Sequence, residues 1–232
     1  MSWLIAVIII SVLTVIYYLY RSRQSRRLSF IRAYQFHKSI KDKILKKYPH
    51  LNDEQVHLVF RALRDYFYIC SEAKRKMVAM PSQVVDDAWH EFILFTRSYR
   101  HFCRKAIGRF LHHTPTEAMS TPTLAQDGIK RAWRLACAKE KIHPAQPNRL
   151  PLLFAIDAML GIPNGFTYVT DCNRKNPDGT SAGYCAGDIG CASGCGGDSG
   201  VSSGSNDSGG FFDGLFDSSG CGADCGGGCG GD

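Results

Sequence analysis

The chain has 232 residues, of which 44% are hydrophobic and 21% charged, and its formal net charge is +7. About 150 residues lie between an apolar N-terminal run and a low-complexity end, which leaves room for one soluble domain with a core and little for a second. Residues 170–232 contain 2 basic and 9 acidic residues, whereas residues 1–169 contain 26 basic and 12 acidic residues. The sequence therefore predicts a basic body followed by an acidic tail.

Residues 3–20 form an uninterrupted uncharged run with aromatic residues at both ends. As a helix this run reaches ~27 Å, close to the thickness of a bilayer's hydrocarbon core, and aromatic rings are typical of the two interfaces. The pattern predicts a transmembrane anchor over residues 1–20 that spans the membrane once. A signal peptide or a buried helix is the alternative, but a signal peptide carries its positive charge before the apolar run.

Ten basic residues and a single acid, Asp42, lie between Arg21 and Lys47, directly after the apolar run. By the positive-inside tendency, this places Met1 outside and the body in the cytoplasm. Each Lys or Arg near an anionic leaflet contributes ~1 kcal/mol, so anionic lipids are an expected partner, with a solvated basic helix face as the alternative. Nucleic acid ranks lower as a partner, because the sequence contains no recognition-module signature.

The body is predicted to be helical. Apolar residues recur at spacings of three and four, whereas sustained strand alternation is absent apart from a short candidate strand at 166–169. The predicted helices are Arg27–Tyr48, a helix that starts at Asn52 with a capping box to Gln55, Pro81–Gly108, Leu124–Lys141 and Leu150–Leu160. The predicted fold class is all-α, with an anchor and a domain of about five helices over residues 21–171.

Residues 172–232 are rich in Gly, Ser, Asp and Cys, a composition typical of disorder. Six cysteines follow residue 180, and they are called the tail cysteines: Cys185, Cys191, Cys195, Cys221, Cys225 and Cys229. In a reducing cytosol structural disulfides are disfavoured, so a soft-metal or redox site is one hypothesis and a flexible tail with incidental cysteines is the other. Several of these cysteines are separated by three residues, whereas zinc ribbons mostly use two.

Trp89, Tyr99 and Cys103 share one face of the predicted third helix, which favours a place in the core. A nucleophilic cysteine paired with a histidine is the competing interpretation of Cys103. On a continuous helix His90 lies about 220° around the axis from Cys103, so that histidine does not reach it.

A polar set on the same helix suggests a metal site. Asp86 and His90 are four residues apart and share a face, and His112 and His113 follow in the next loop, so these side chains could bind zinc or another soft metal. Arg97 lies about 20° from Asp86 on a continuous helix, where its charge opposes a cation. A hydrogen-bonded stripe of Asp86, His90 and Arg97 is therefore the alternative, and the HExxH spacing of zinc hydrolases is absent.

Two long segments carry a family resemblance: MPSQVVDDAWHEFILFTRSYRHFCRKAIGRFLHHTP and LPLLFAIDAMLGIPNGFTYVTDC, followed by a Gly/Cys tail. They resemble bacterial members of the glycine-rich domain-containing protein-like family, a domain of unknown function, over roughly residues 50–172. The matching positions are Asp86, Trp89, His90, Tyr99, Cys103, Gly108 and a histidine at 112 or 113. The resemblance implies no reaction, and the RNA-binding module of plant relatives is not found in this chain.

Taken together, these features favour a membrane-anchored cytosolic interaction or scaffold module with a protein partner. The resemblance to bacterial proteins implies that the membrane is the bacterial inner membrane, which the chain would span once. One alternative is a metal-binding protein or membrane-bound enzyme that uses Asp86, His90 and a downstream histidine. The other places a metal or redox site at the tail cysteines.

Overall fold

The computed structural model describes residues 2–113, 122–170, 184–186 and 189, all within one unit of contacts that covers residues 1–195. In these residues the chain forms seven helices and two short strands, which confirms the all-α prediction. The helices are α1 (Ser2–Ala33), α2 (Lys38–Lys47), α3 (Asp53–Glu72), α4 (Gln83–Leu94), α5 (Thr96–Ala106), α6 (Pro122–Glu140) and α7 (Leu152–Met159). The strands are β1 (Tyr168–Val169) and β2 (Tyr184–Cys185).

Helix α1 is apolar in its first half and joins the body in its second half. Its apolar side chains are exposed, and by length and composition the helix suffices to cross a membrane, a test that a signal sequence near the N-terminus also meets. The helix continues into the basic segment as far as Ala33, and its last turns contact α3 and α5, where Ile31 is fully buried. The apolar segment is thus joined to the body by continuous helix.

The prediction of one helix from Arg27 to Tyr48 is wrong, because the chain leaves the helix after Ala33 and α2 starts at Lys38. His37 has an extended conformation, and its Nδ1 accepts a hydrogen bond from the Ser39 amide at 3.2 Å. The break turns two aromatic rings into the body, with Tyr34 4.6 Å from the Phe102 ring centroid and Phe36 5.2 Å from that of Phe92. Aromatic packing therefore outweighs the helical periodicity of this segment.

Helix α3 is the centre of the body and contacts α1, α2, α4, α6 and α7. It begins with the predicted capping box. The Gln55 amide donates to Asn52 Oδ1 at 2.9 Å, and the Asn52 amide donates to Gln55 Oε1 at 2.8 Å. Its apolar stripe is buried, as the periodicity predicts. The fully buried side chains on that stripe include Val56, Val59, Leu63 and Phe67.

The predicted helix Pro81–Gly108 is divided into α4 and α5 at Phe95, whose φ of −80° and ψ of 60° lie outside the helical range. Neither Gly nor Pro occurs near the break, and the apolar spacing continues across it, so the sequence pattern contains no signal for it. The break packs Phe92 of α4 against Phe102 of α5, with ring centroids 5.4 Å apart. Tertiary packing, rather than local preference, ends α4.

Gly108 ends α5, as predicted. Its φ is +83° and its amide donates to the Cys103 carbonyl at 2.9 Å, a glycine C-cap. A Cβ at this position would lie 2.1 Å from a guanidinium nitrogen of Arg27. The glycine therefore closes α5, and it leaves the space that the Arg27 guanidinium occupies.

The last part of the body forms close to the predicted positions. Trp133 of α6 packs against Phe154 of α7 with ring centroids 5.1 Å apart, and its indole donates to the Pro144 carbonyl at 2.9 Å. The strand predicted at 166–169 is present as β1, which pairs in parallel with β2.

A buried carboxylate connects α7 to the start of α4. Asp157, which is 2% exposed, accepts hydrogen bonds from Ser82 Oγ at 2.7 Å and from the amides of Gln83 at 2.6 Å, Val84 at 3.3 Å and Phe166 at 3.0 Å. A negative charge at a helix N-terminus is favourable, and these donors satisfy the buried carboxylate. The first turn of α4, which carries Asp86, is held in place by this residue.

Candidate functional site

Asp86, His90 and His113 meet at one place on the surface of the body. His113 Nε2 lies 2.9 Å from Asp86 Oδ1, and His90 Nδ1 lies 3.6 Å from Asp86 Oδ2. The two imidazole rings are 4.2 Å apart between centroids. One ligand atom from each residue can be chosen so that all three lie within 4.8 Å of one another. The cluster brings together two residues of α4 and one of the loop after α5.

The cluster is positioned by buried residues behind it. The Trp89 ring lies 4.5 Å from the His113 ring, and its indole donates to the Tyr99 hydroxyl at 3.1 Å. The Tyr99 hydroxyl in turn donates to the carbonyl of Leu111, two residues before His113. Trp89 and Tyr99 are 3% and 1% exposed. The core therefore sets the path of the loop that brings His113 to Asp86.

The cluster is open to solvent on one side. The side chain of His113 is 14% exposed and that of Asp86 is 24% exposed, whereas that of His90 is 51% exposed. A carboxylate oxygen and two imidazole nitrogens form a typical ligand set for zinc. The arrangement can bind a cation without burying it from water.

Arg97 does not belong to this cluster, contrary to the prediction of a shared stripe. Because the chain breaks at Phe95, Arg97 lies on α5 and is exposed, and the angular relation calculated for a continuous helix does not hold. Within the described part of the chain, the ion-pair partners of Asp86 are His90 and His113. The main objection to a cation at this site is thereby removed.

His112 does not join the cluster either. Its side chain is exposed and its ring packs against Phe110, with centroids 4.8 Å apart. The sequence left the choice between His112 and His113 open, because either of two adjacent residues in a loop after α5 could reach back to α4. The structure assigns His113 to the cluster, and His112 becomes a natural control.

Sequence reasoning missed the role of the neighbouring acid, Asp87, which points to the other side of α4. It accepts a hydrogen bond from the Tyr48 hydroxyl and forms an ion pair with Lys47 at 2.6 Å. Burial, together with the Asp87 hydrogen bond and charge, raises the pKa of Tyr48 far above its ordinary value. The two adjacent acids thus contact different parts of the protein. Asp87 binds residues at the end of α2, and Asp86 faces the two histidines.

Cys103 is fully buried beside Tyr99, and burial raises the pKa of its thiol. Burial likewise raises the pKa of Cys70 to about 12 and that of Cys137 to about 12. A reactive cysteine needs a lowered pKa and access to solvent, so these three thiols have the properties of structural residues. The geometry gives no support to a nucleophilic Cys103.

We expect iodoacetamide at pH 8 to leave Cys70, Cys103 and Cys137 unmodified in the folded protein. A thiol with a pKa of about 12 is ionised in only about one molecule in 10,000 at this pH, and burial blocks access as well. Peptide mass spectrometry should show modification at least about a hundredfold slower than after denaturation. Rapid native labelling of Cys103 would restore the nucleophile hypothesis.

Of the six tail cysteines, Cys185 alone lies in the described residues, and it is disulfide-bonded. At this residue the structure differs from the expectation of a free thiol, and a disulfided sulfur is not a thiolate ligand. Cys191, Cys195, Cys221, Cys225 and Cys229 lie outside the described residues. Because disulfides persist in oxidising compartments, the cytoplasmic orientation of the body stays a prediction.

Fold and site together define a class: a helical protein with one N-terminal apolar helix and a half-exposed cluster of one carboxylate and two imidazoles. Residues 26–189 match the UCP032817-like family model, and the chain belongs to that family. The match supports a family identity for the helical body, but not the glycine-rich name that the resemblance suggested. No curated protein and no solved structure matches the chain.

Proposed function

We propose that this protein is a membrane-tethered metal-binding protein whose helical body holds one zinc ion at Asp86, His90 and His113. The observation that supports the proposal is the convergence of these three ligand atoms within 4.8 Å. The tether is the apolar half of α1, which has the length and composition to cross a membrane.

The distances in the cluster are close to those of a zinc site. Zinc bonds of ~2.0 to 2.2 Å to nitrogen and oxygen place tetrahedral ligands about 3.4 Å from one another. His113 Nε2 lies 2.9 Å from Asp86 Oδ1 and His90 Nδ1 lies 3.6 Å from Asp86 Oδ2, and a set of one ligand atom from each residue lies within 4.8 Å. Zinc binding would bring ligand atoms that now lie up to 4.8 Å apart to about 3.4 Å from one another, through rotation of the side chains.

Three protein ligands leave one tetrahedral position for a water molecule or a substrate. Catalytic zinc sites have this arrangement, whereas structural sites are usually closed by four protein ligands. The half-exposed His90 leaves the cluster open to solvent, from which a water molecule or a substrate could reach a bound ion. An open ligand position supports the alternative that the bound metal is catalytic, and hydrolysis is the class of reaction to test.

A second candidate function is protein docking at the same surface, favoured by the exposure of the loop before His113. Phe110 is 42% exposed, and the exposed His112 packs on it. In this case the 2.9 Å contact between His113 Nε2 and Asp86 Oδ1 holds the loop against α4, and no metal is needed.

The two functions are separated by zinc titration of the full-length protein in detergent. Cys172 and the six tail cysteines are replaced by serine so that residues 172–232 contribute no thiolate. We expect one zinc per chain, and an affinity at least about 100-fold lower in His113→Ala, because losing even an outer-shell partner costs 10 to 100-fold. His112→Ala is the matched control and should bind like the parent protein.

Other results would change the assignment. A parent protein without stoichiometric zinc would refute the metal proposal. If, in the absence of zinc, His113→Ala unfolds at a lower temperature than His112→Ala, the docking hypothesis gains support, since bound zinc does not contribute to that difference. Equal zinc loss in both variants would mean that neither residue is a specific ligand.

A further inference from the structure

A second polar site lies at the point where the apolar half of α1 ends. A cleft of about 580 Å³ opens between α1 and the C-terminal end of α3. Tyr17, Tyr20 and Arg21 line it from α1, and Lys74 lines it from the turn after α3. Since the uncharged run ends at Tyr20, this end of the cleft lies where a tethered protein would meet the lipid headgroups.

The cations at this end of the cleft are held in place without a carboxylate partner. Arg21 donates to the Tyr17 hydroxyl at 3.1 Å, and Lys74 Nζ lies 5.5 Å from the centre of the Tyr20 ring. Among the described residues, no acid forms an ion pair with either cation. The one acid in the lining, Glu72, accepts a hydrogen bond from Gln24 at 2.8 Å. The cleft therefore has an excess of positive charge.

The backbone at Lys74 is held in a fixed conformation by a neighbouring side chain. Lys74 has a φ of 58°, a left-handed conformation that is uncommon outside glycine, and its carbonyl accepts two hydrogen bonds from the Arg109 guanidinium at 2.8 and 3.1 Å. These bonds satisfy a carbonyl at the C-terminal end of α3, where the helix dipole is negative and would repel an anion. Arg109 thus places a third positive charge at the same turn.

We infer that this cleft binds the headgroup phosphate of an anionic phospholipid between Arg21 and Lys74. Guanidinium and ammonium groups are the usual phosphate ligands, and the exposed apolar side chains of α1 continue from the cleft toward the lipid acyl chains. Arg32, which lies about 16 Å farther along the helix, is too distant to share this phosphate. The inference depends on the proposed tether, and it is independent of the zinc site.

The test measures lipid binding to the full-length protein in detergent micelles by native mass spectrometry. The lipid probes are short-chain phosphatidylglycerol and phosphatidylcholine, and glycerol 3-phosphate is the soluble phosphate. We expect saturable binding of phosphatidylglycerol, about thirtyfold weaker in the double variant Arg21→Gln, Lys74→Gln. The control is Arg23→Gln, Lys76→Gln, which removes the same charge from exposed neighbours outside the cleft and should bind like the parent protein.

Three results would overturn the inference. Equal losses in the two double variants would mean diffuse attraction to a basic surface. Equal affinity for phosphatidylcholine would mean that the anionic headgroup is not recognised, and equal affinity for glycerol 3-phosphate would mean a soluble ligand. Alkaline carbonate extraction of cell membranes tests the tether separately. If the protein stays in the membrane fraction but shows no preference among the lipids, the phosphate site in the cleft is refuted and the tether is not.

Discussion

Replacing Asp157 with alanine is expected to lower the free energy of unfolding by roughly 3 to 5 kcal/mol. The carboxylate accepts four hydrogen bonds, and two of its donors, Ser82 and Val84, belong to residues that are 1% and 0% exposed. Alanine would leave these donors without a partner in a region from which water is excluded, and an unsatisfied buried donor costs ~1 to 3 kcal/mol. Denaturant unfolding followed by tryptophan fluorescence measures the change, because Trp89 and Trp133 are buried.

Two further variants separate the hydrogen bonds from a general effect of removing an acid. Asp127→Ala removes an exposed carboxylate from α6 and should change stability by less than about 0.5 kcal/mol. Asp157→Asn keeps the shape and one acceptor, so an intermediate loss is expected. An Asp157→Ala protein as stable as Asp127→Ala would show that the start of α4 does not depend on this carboxylate.

Replacing Phe102 with alanine is expected to cost roughly 3 to 5 kcal/mol as well, through a cavity. Phe102 is fully buried, and its ring lies within 6 Å of rings from α1, the following loop, α3 and α4. The partners are Phe30, Tyr34, Phe67 and Phe92. The Phe102 ring packs the C-terminal end of α1, through Phe30, against the body. Its loss should therefore also expose the segment after Ala33 to limited proteolysis.

The matched control is Phe110→Ala, which removes the same ring from a position that is 42% exposed. We expect it to cost less than about 1.5 kcal/mol, since little cavity forms at the surface. Phe102→Ala and Phe110→Ala are compared in the same denaturant series. Equal destabilisation by the two variants would mean that the rings around Phe102 repack and fill the cavity. In that case the break at Phe95 would not depend on the Phe102 ring.

Much of the helical fold was predictable because it follows from local rules. The capping box of Asn52 and Gln55, the glycine stop at Gly108 and the apolar stripe of α3 are each read from residues a few positions apart. The breaks after Ala33 and at Phe95 were not predictable, because the helical spacing of apolar residues continues through both. The partners that favour these breaks are rings from other helices.

The candidate site shows the same division. Asp86 and His90 were predictable as neighbours because they lie one helical turn apart on α4. The choice of His113 over His112 and the exclusion of Arg97 depend on the path of the chain after α4. That path is set by Phe95, Tyr99 and Leu111, which act through contacts between segments.

The sequence by itself determined the apolar N-terminal helix, the all-α class and the caps of α3 and α5, because hydrophobic periodicity and capping are interactions between near neighbours. Only the tertiary structure decided the ends of α1 and α4, the partners of Asp157 and the three members of the Asp86 cluster. These features depend on side chains up to 75 residues apart, as for Ser82 and Asp157. Contacts at that separation are set by how the helices pack, which no local pattern specifies.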